Sequence, residues 1–94
     1  GALWACGEAG TALLRVGGVW EDLGAGLPED EDVMDIGFTG GDVVAVTAAG
    51  GVHRWDGASW TLAYPYPGLI LTGVATDADG ELVIIGYDGT ILGQ

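Results

Sequence analysis

The chain repeats itself with a period of about 40 residues. Three rows align: LWACGEAGTALLRVGGVWEDLG from Leu3, VVAVTAAGGVHRWDGASWTLAY from Val43 and LVIIGYDGTILGQ from Leu82. Trp20 and Trp60 lie 40 residues apart, and the rows place Arg15 and Arg54 at equivalent positions, 39 residues apart. A period of this length indicates a repeat architecture, in which each unit buries its apolar surface against its neighbours.

Each row opens with a short apolar run and continues through a glycine-containing turn into a second strand. The opening runs are Leu3 to Cys6, Val43 to Val46 and Leu82 to Ile85. Runs of this kind predict strands buried on both faces, and turns such as Ala9-Gly10 and Asp88-Gly89 predict β-hairpins. Further strands are predicted over residues 20–23, 60–64, 33–39 and 71–76. Apolar residues never keep a helical spacing, so an all-β fold is expected.

Four short antiparallel strands per repeat are typical of a β-propeller blade, whose two apolar faces are covered by neighbouring blades. The 94 residues form one domain at most, residues 1–94, with about two and a half blades. The blade parts are roughly residues 1–27, 28–67 and 68–94. A β-sandwich is the alternative fold, since it also uses short strands.

The rows resemble the Trp- and Gly-rich propeller repeats of bacterial secreted proteins and of the photosystem II assembly factor family. The stretches that carry this resemblance are WACGEAGTALLRVGGVW, VAVTAAGGVHRWDGASW and VIIGYDGTIL. The pattern is also similar to Asp-box and tectonin repeats, although Asp56 stands four residues before Trp60, where the Asp-box form has five. The resemblance implies a β-propeller, and an extracellular or cell-surface location is slightly favoured.

The chain is strongly acidic, with 14 acidic residues against two arginines and a formal net charge of −12. Such a surface repels phosphate backbones and anionic lipid headgroups, so neither nucleic acid nor a membrane is expected as a partner. No apolar run approaches the ~18 residues of a membrane span. Cys6 is the only cysteine, so no intrachain disulfide is possible, and its apolar neighbours Trp4 and Ala5 favour a buried structural thiol.

Asp56-Gly57 is interpreted as a tight turn of the repeat frame, with Trp20 and Trp60 as structural repeat residues. His53, the only histidine, is interpreted as a solvent-facing strand residue. The acidic run at residues 28–35 is expected to be a solvated loop, with a docking patch for a basic partner as the alternative. The run TDADGEL at residues 76–82 lacks the spacing of an EF-hand calcium loop, which favours an Asp-Gly turn at residues 79 and 80.

The residues offer a surface for binding rather than for catalysis. Tyr64 and Tyr66 in YPYPG, together with Trp55, are the candidate ligand-binding residues. No nucleophile or phosphate-binding motif occurs, and no catalytic residue, metal or cofactor is expected. The expected function is a noncatalytic scaffold or binding module that contacts protein or glycan through its loops. It would complete its ring by self-association, as a homo-oligomer, or with the missing blades of a parent chain. The alternatives are a fragment of a propeller hydrolase or lyase, and a structural subunit of a larger assembly.

Overall fold

A computed structural model describes residues 2–39, 42–76, 81–87, 89 and 91–93. The turn predicted at residues 79–80 and Asp88 of the predicted Asp88-Gly89 turn lie outside the described residues. The all-β expectation is confirmed, because the described chain contains strands and turns without a helix.

Ten strands follow one another along the chain. They are β1 Ala2–Gly7, β2 Thr11–Val16, β3 Val19–Asp22, β4 Val33–Thr39, β5 Asp42–Thr47, β6 Gly51–Trp55, β7 Trp60–Pro65, β8 Leu71–Thr76, β9 Leu82–Gly86 and β10 Ile91–Gly93. Each predicted strand coincides with an observed one to within two residues at either end. Glycines with positive φ occupy the hairpin turns, for example Gly10 at 68° and Gly50 at 88°.

The strands form three separate antiparallel sheets, none of them closed on itself. The first sheet has the order β1-β2-β3, the middle sheet β4-β5-β6-β7 and the third sheet β8-β9-β10. Every strand therefore pairs with the strand next to it in sequence. The pairing register shifts at a β-bulge near the start of β4, between Val33 and Asp35, and near the start of β8, between Leu71 and Gly73.

The sheets pack in layers, as in a β-sandwich, with the middle sheet between the other two. Alternate residues of β5 point to opposite faces. Val44 and Val46 join an apolar cluster with Leu71 and Ile84 of the third sheet. Ala45 joins a second cluster, which reaches the first sheet. The middle sheet is thus buried on both faces.

Two-sided burial was predicted for all three opening runs, and for the first and third sheets this prediction is wrong. Each of these sheets has one face that no described residue covers. Leu3 is 57% exposed and Ile85 is 41% exposed. The sequence pattern of the three runs is alike, but only the middle one has a neighbouring sheet on each side.

Three tryptophans fill the contact between the first and middle sheets. The ring centroids of Trp4, Trp55 and Trp60 lie 5.4–5.9 Å apart, in edge-to-face or tilted arrangements. The Trp60 indole N–H donates to the carbonyl oxygen of Leu23 at 2.7 Å, which ties β7 to the loop after β3. Cys6 packs half-buried against the same cluster, and burial raises the pKa of its thiol, with a smaller contribution from Asp35.

Candidate functional site

The Asp56 turn connects β6 to β7 and is held by hydrogen bonds within itself. Asp56 Oδ1 accepts hydrogen bonds from the backbone N–H groups of Ser59 and Ala58, both at 2.8 Å. These hydrogen bonds hold the pKa of the Asp56 carboxyl below its usual range. Gly57 has a φ of 100°, which glycine adopts without strain. The carboxylate is occupied within its own turn.

A cleft of about 300 Å³ lies where the loop before β4 meets the turn after β5 and the end of β7. Its lining residues are Gly26, Pro28, Glu31, Ala49, Gly50, Gly51, His53, Leu62, Pro65, Tyr66 and Pro67. The wall is mostly apolar, and its ionisable members are His53, Glu31 and Tyr66. The lining residues belong to β6, β7 and the loops around the middle sheet, and they include no residue of the first or third sheet.

His53 is buried, at 4% exposure, and the sequence interpretation of a solvent-facing residue is wrong. It pairs with Ala45, on the side of the middle sheet that faces the first sheet. Neither ring nitrogen has a hydrogen-bond partner among the described residues. Burial lowers the pKa of His53, and the nearby Glu31 carboxylate partly opposes this shift, so the imidazole is neutral at pH 7.

Repeat equivalence is the sequence signal that could have identified His53 as an exception. In the first sheet Leu13 pairs with Ala5, and in the third sheet Leu92 pairs with Ile84, as His53 pairs with Ala45. Two of the three repeats therefore carry leucine at this position. A polar group at a leucine position is a departure from the core pattern.

Glu31 and Thr47 are linked beside His53. The Thr47 hydroxyl donates to Glu31 Oε1 at 2.7 Å, and Thr47 Oγ1 accepts from the N–H of Gly51 at 3.1 Å. Thr47 is fully buried, and Glu31 is half-buried. The acidic run was expected to be a solvated loop, and Glu31 departs from that expectation because its carboxylate fastens the loop to the β5–β6 turn.

The three candidate ligand residues fall in different surroundings. Tyr66 lines the cleft and packs against the cluster between the middle and third sheets. Tyr64, on β7, pairs with Val52 of β6, is exposed and does not line the cleft. Trp55 belongs to the tryptophan group described above. The structure therefore brings only Tyr66 next to His53 and Glu31.

The two uncovered sheet faces carry large apolar side chains. We call the face with Leu3, Leu13 and Trp20 the front face, and the face with Val83, Ile85 and Ile91 the back face. Pairing places each set on one side of its sheet. Leu3 and Trp20 on the front face, and Ile85 and Ile91 on the back face, are exposed. Apolar patches of this kind mark contact surfaces.

The strand register corrects the predicted equivalence of the two arginines. Arg15 pairs with Leu3 and with Trp20, whereas the corresponding residue of the middle sheet, paired with Val43 and Trp60, is Trp55. Arg54 precedes Trp55 and therefore lies on the opposite side of its sheet. Its Nε is 3.7 Å from Asp42 Oδ2, in an exposed ion pair.

Within the described ranges, no group of three or more histidine, cysteine or acidic side chains is placed to hold a metal ion. The same part of the chain holds no helix long and apolar enough to cross a membrane. Comparison of the chain with protein-family models, with curated proteins and with solved structures found no match.

Proposed function

We propose that this chain is a noncatalytic β-propeller scaffold or binding module, whose front and back faces are covered by further blades. The blades come from other copies of the chain or from a longer parent chain. In this proposal each of the three sheets is a blade, and the sequential antiparallel strand order agrees with that assignment. The chain contacts protein or glycan ligands through its loops.

One observation carries the proposal: positions that are buried in the middle sheet are exposed at the equivalent places of the outer sheets. Trp60 is 3% exposed, while Trp20, at the same register position of the first sheet, is 47% exposed. Val52 is 1% exposed, while its third-sheet equivalent Ile91 is 71% exposed. The outer sheets are therefore patterned for a neighbour on each side, as the middle sheet is.

Sheet edges give further support. In the described chain β10 pairs only with β9, and β1 only with β2, so both are edge strands, as are β3, β4, β7 and β8. Open edges beside apolar faces promote association with another chain. A ring of blades covers both faces of every sheet, whereas a lone three-layer stack covers neither outer face.

The loop cleft is the place where this proposal locates ligand contact. It contains Tyr66, one of the residues predicted to bind, together with His53 and Glu31 in a mostly apolar wall. Few polar groups in an apolar cleft are typical of binding sites. A glycan and peptide array with wild type and Tyr66→Ala tests this part, with Tyr64→Ala as the matched control outside the cleft. We expect Tyr66→Ala to reduce binding and Tyr64→Ala to retain it.

Absolute mass in solution, by light scattering after gel filtration, tests the scaffold proposal. We expect a discrete oligomer, larger than the 9.5 kDa of one chain, at moderate and high salt. A monodisperse monomer with high thermal stability would contradict ring closure by self-association and would favour the β-sandwich alternative.

A further inference from the structure

We propose that two copies of the chain close head to tail, with the back face of each copy packed on the front face of the other. This inference rests on the proposed function and specifies its partner as a second copy. The closed particle contains six sheets.

The interior of one chain already displays the contact. Within the chain, one side of the middle sheet, with Val44, Val46 and Val52, packs on the third sheet. The opposite side, with Ala45 and Trp60, packs on the first sheet. By repeat position, Ile84 of the third sheet corresponds to Ala45, and Trp4 of the first sheet corresponds to Val44. Each internal contact therefore joins two unlike sides of the repeat.

The two exposed faces correspond to opposite sides of the repeat. Repeat positions relate the back face, with Val83, Ile85 and Ile91, to the side of the middle sheet that packs on the third sheet. They relate the front face, with Leu3 and Trp20, to the side that packs on the first sheet. A back face set against a front face repeats the internal contact, with Arg15 of the front face in the place of Trp55, whereas a front face set against a front face does not.

Equivalence also identifies the central contact. Trp60 packs with Trp4 across the internal interface, with ring centroids 5.6 Å apart. Trp20 is the repeat equivalent of Trp60, and Val83 is the equivalent of Trp4. Trp20 of one copy is therefore placed over Val83 of the other. A large aromatic ring at an interface contributes strongly to its stability.

The number of sheets in one chain limits the number of copies in a closed ring. The chain has three sheets, and closed propellers typically have four to eight blades. Two copies give six sheets, while three copies give nine. A contact between unlike faces generates a ring when the rotation closes, and with two copies both contacts of the ring are identical.

Three lysine variants test the proposal by light scattering over a concentration series. Trp20→Lys alters the front face, Ile91→Lys the back face, and Ala58→Lys adds the same charge in the exposed Asp56 turn, away from both faces. Wild type and Ala58→Lys are expected at about twice 9.5 kDa. Each face variant alone is expected to be a monomer, since every contact in its ring contains an altered face. Added positive charge reduces the overall repulsion between copies, so loss of association reports a local effect.

An equimolar mixture of the two face variants gives the decisive result. The intact back face of Trp20→Lys and the intact front face of Ile91→Lys can still form one contact. We therefore expect the mixture to recover a dimer, with at least tenfold weaker association than wild type, because one of two contacts is lost.

Other outcomes overturn the inference. If either face variant stays dimeric like Ala58→Lys, or if the mixture stays monomeric, the contact is not head to tail, and the proposed self-association still stands. An oligomer of three or more wild-type copies overturns the two-copy ring. A monomeric wild type overturns this inference and, within the proposed function, ring closure by self-association, and it leaves a longer parent chain as the source of the further blades. Circular dichroism verifies that each variant keeps its β-sheet, and Trp20→Ala with Ile91→Ala replaces any lysine variant that does not.

Discussion

At the scale of single residues, Gly50 in the β5–β6 turn and His53 on β6 are constrained in different ways. A φ of 88° at Gly50 suits glycine in a tight turn. His53 depends on which side of its strand is covered, and that depends on how the sheets stack. The Asp56-Gly57 turn was predictable because its hydrogen bonds are local, whereas the cleft around His53 joins residues from loops far apart in sequence.

Replacing Gly50 tests the close approach of two loops. A Cβ at this position would overlap the carbonyl oxygen of Tyr66, and the backbone would be strained by its positive φ. We expect Gly50→Ala to lower the free energy of unfolding by more than about 2 kcal/mol, from strain and overlap together. Urea unfolding measures this change.

Gly57→Ala is the matched control, because Gly57 has a φ of 100° with open space around its Cα. It should show only the backbone cost of about 1 kcal/mol. Equal losses in the two variants would mean that Gly50 and Tyr66 do not approach each other closely.

Replacing His53 by leucine, the residue of the other two repeats, should stabilise the protein. The change removes two buried nitrogens without partners, and we expect a gain of about 1 kcal/mol in the free energy of unfolding at pH 7. A loss of stability in His53→Leu would indicate that the imidazole has a partner that the structure does not show.

The pH dependence provides a separate test of His53. Because burial lowers its pKa in the folded state below the ordinary value of 6.5, the unfolded chain binds the extra proton more readily. Protonation of the unfolded chain at this histidine leaves the free energy of unfolding unchanged well above pH 6.5 and lowers it as the pH falls below 6.5. The free energies of unfolding of wild type and His53→Leu should therefore differ more at about pH 5 than at pH 7.5, with the wild type less stable. Parallel curves would contradict a buried neutral imidazole.

At the scale of strands and sheets, local signals were enough to place the strands. Apolar runs closed by glycine turns predict the hairpins β1–β2, β5–β6 and β9–β10, because the pleat and the turn act over a few residues. Burial could not be predicted in the same way. Leu3 and Val43 begin similar runs, yet their surroundings differ because only one of their sheets lies between two others.

Trp20 and Trp60 occupy equivalent positions in the repeat but differ in burial. Trp60 is buried and hydrogen-bonded to Leu23, so Trp60→Ala should lower the free energy of unfolding by about 3–5 kcal/mol. Trp20→Ala, at dilutions where the chain is monomeric, should change it by less than about 0.5 kcal/mol. Chemical unfolding at low protein concentration compares them, and similar losses would indicate that Trp20 is buried within a single chain.

At the scale of the whole molecule, an acidic surface and two apolar faces have opposite effects on association. A formal charge of −12 makes copies repel each other, while burial of Trp20, Ile85 and Ile91 favours contact. The sequence predicts both tendencies, but the separation of the apolar residues into one front and one back face requires the strand register.

Salt should therefore strengthen the association. Raising the ionic strength from about 0.05 to 0.5 M screens the repulsion between copies, and we expect the dissociation constant to fall at least about threefold. Analytical ultracentrifugation at several salt concentrations measures it. Weaker association at high salt would show that ion pairs, rather than apolar faces, hold the copies together.

The grouping of Trp4, Trp55 and Trp60 has an optical consequence. Indole rings with centroids 5.4–5.9 Å apart couple their electronic transitions, so the group should give a strong far-ultraviolet exciton couplet when the first and middle sheets are docked. Trp20 stands apart on the front face, and its emission responds to the solvent there. Dichroism thus reports internal docking without a label, and the difference in emission between wild type and Trp20→Phe reports contact at the front face, so the order of the two events can be followed during refolding.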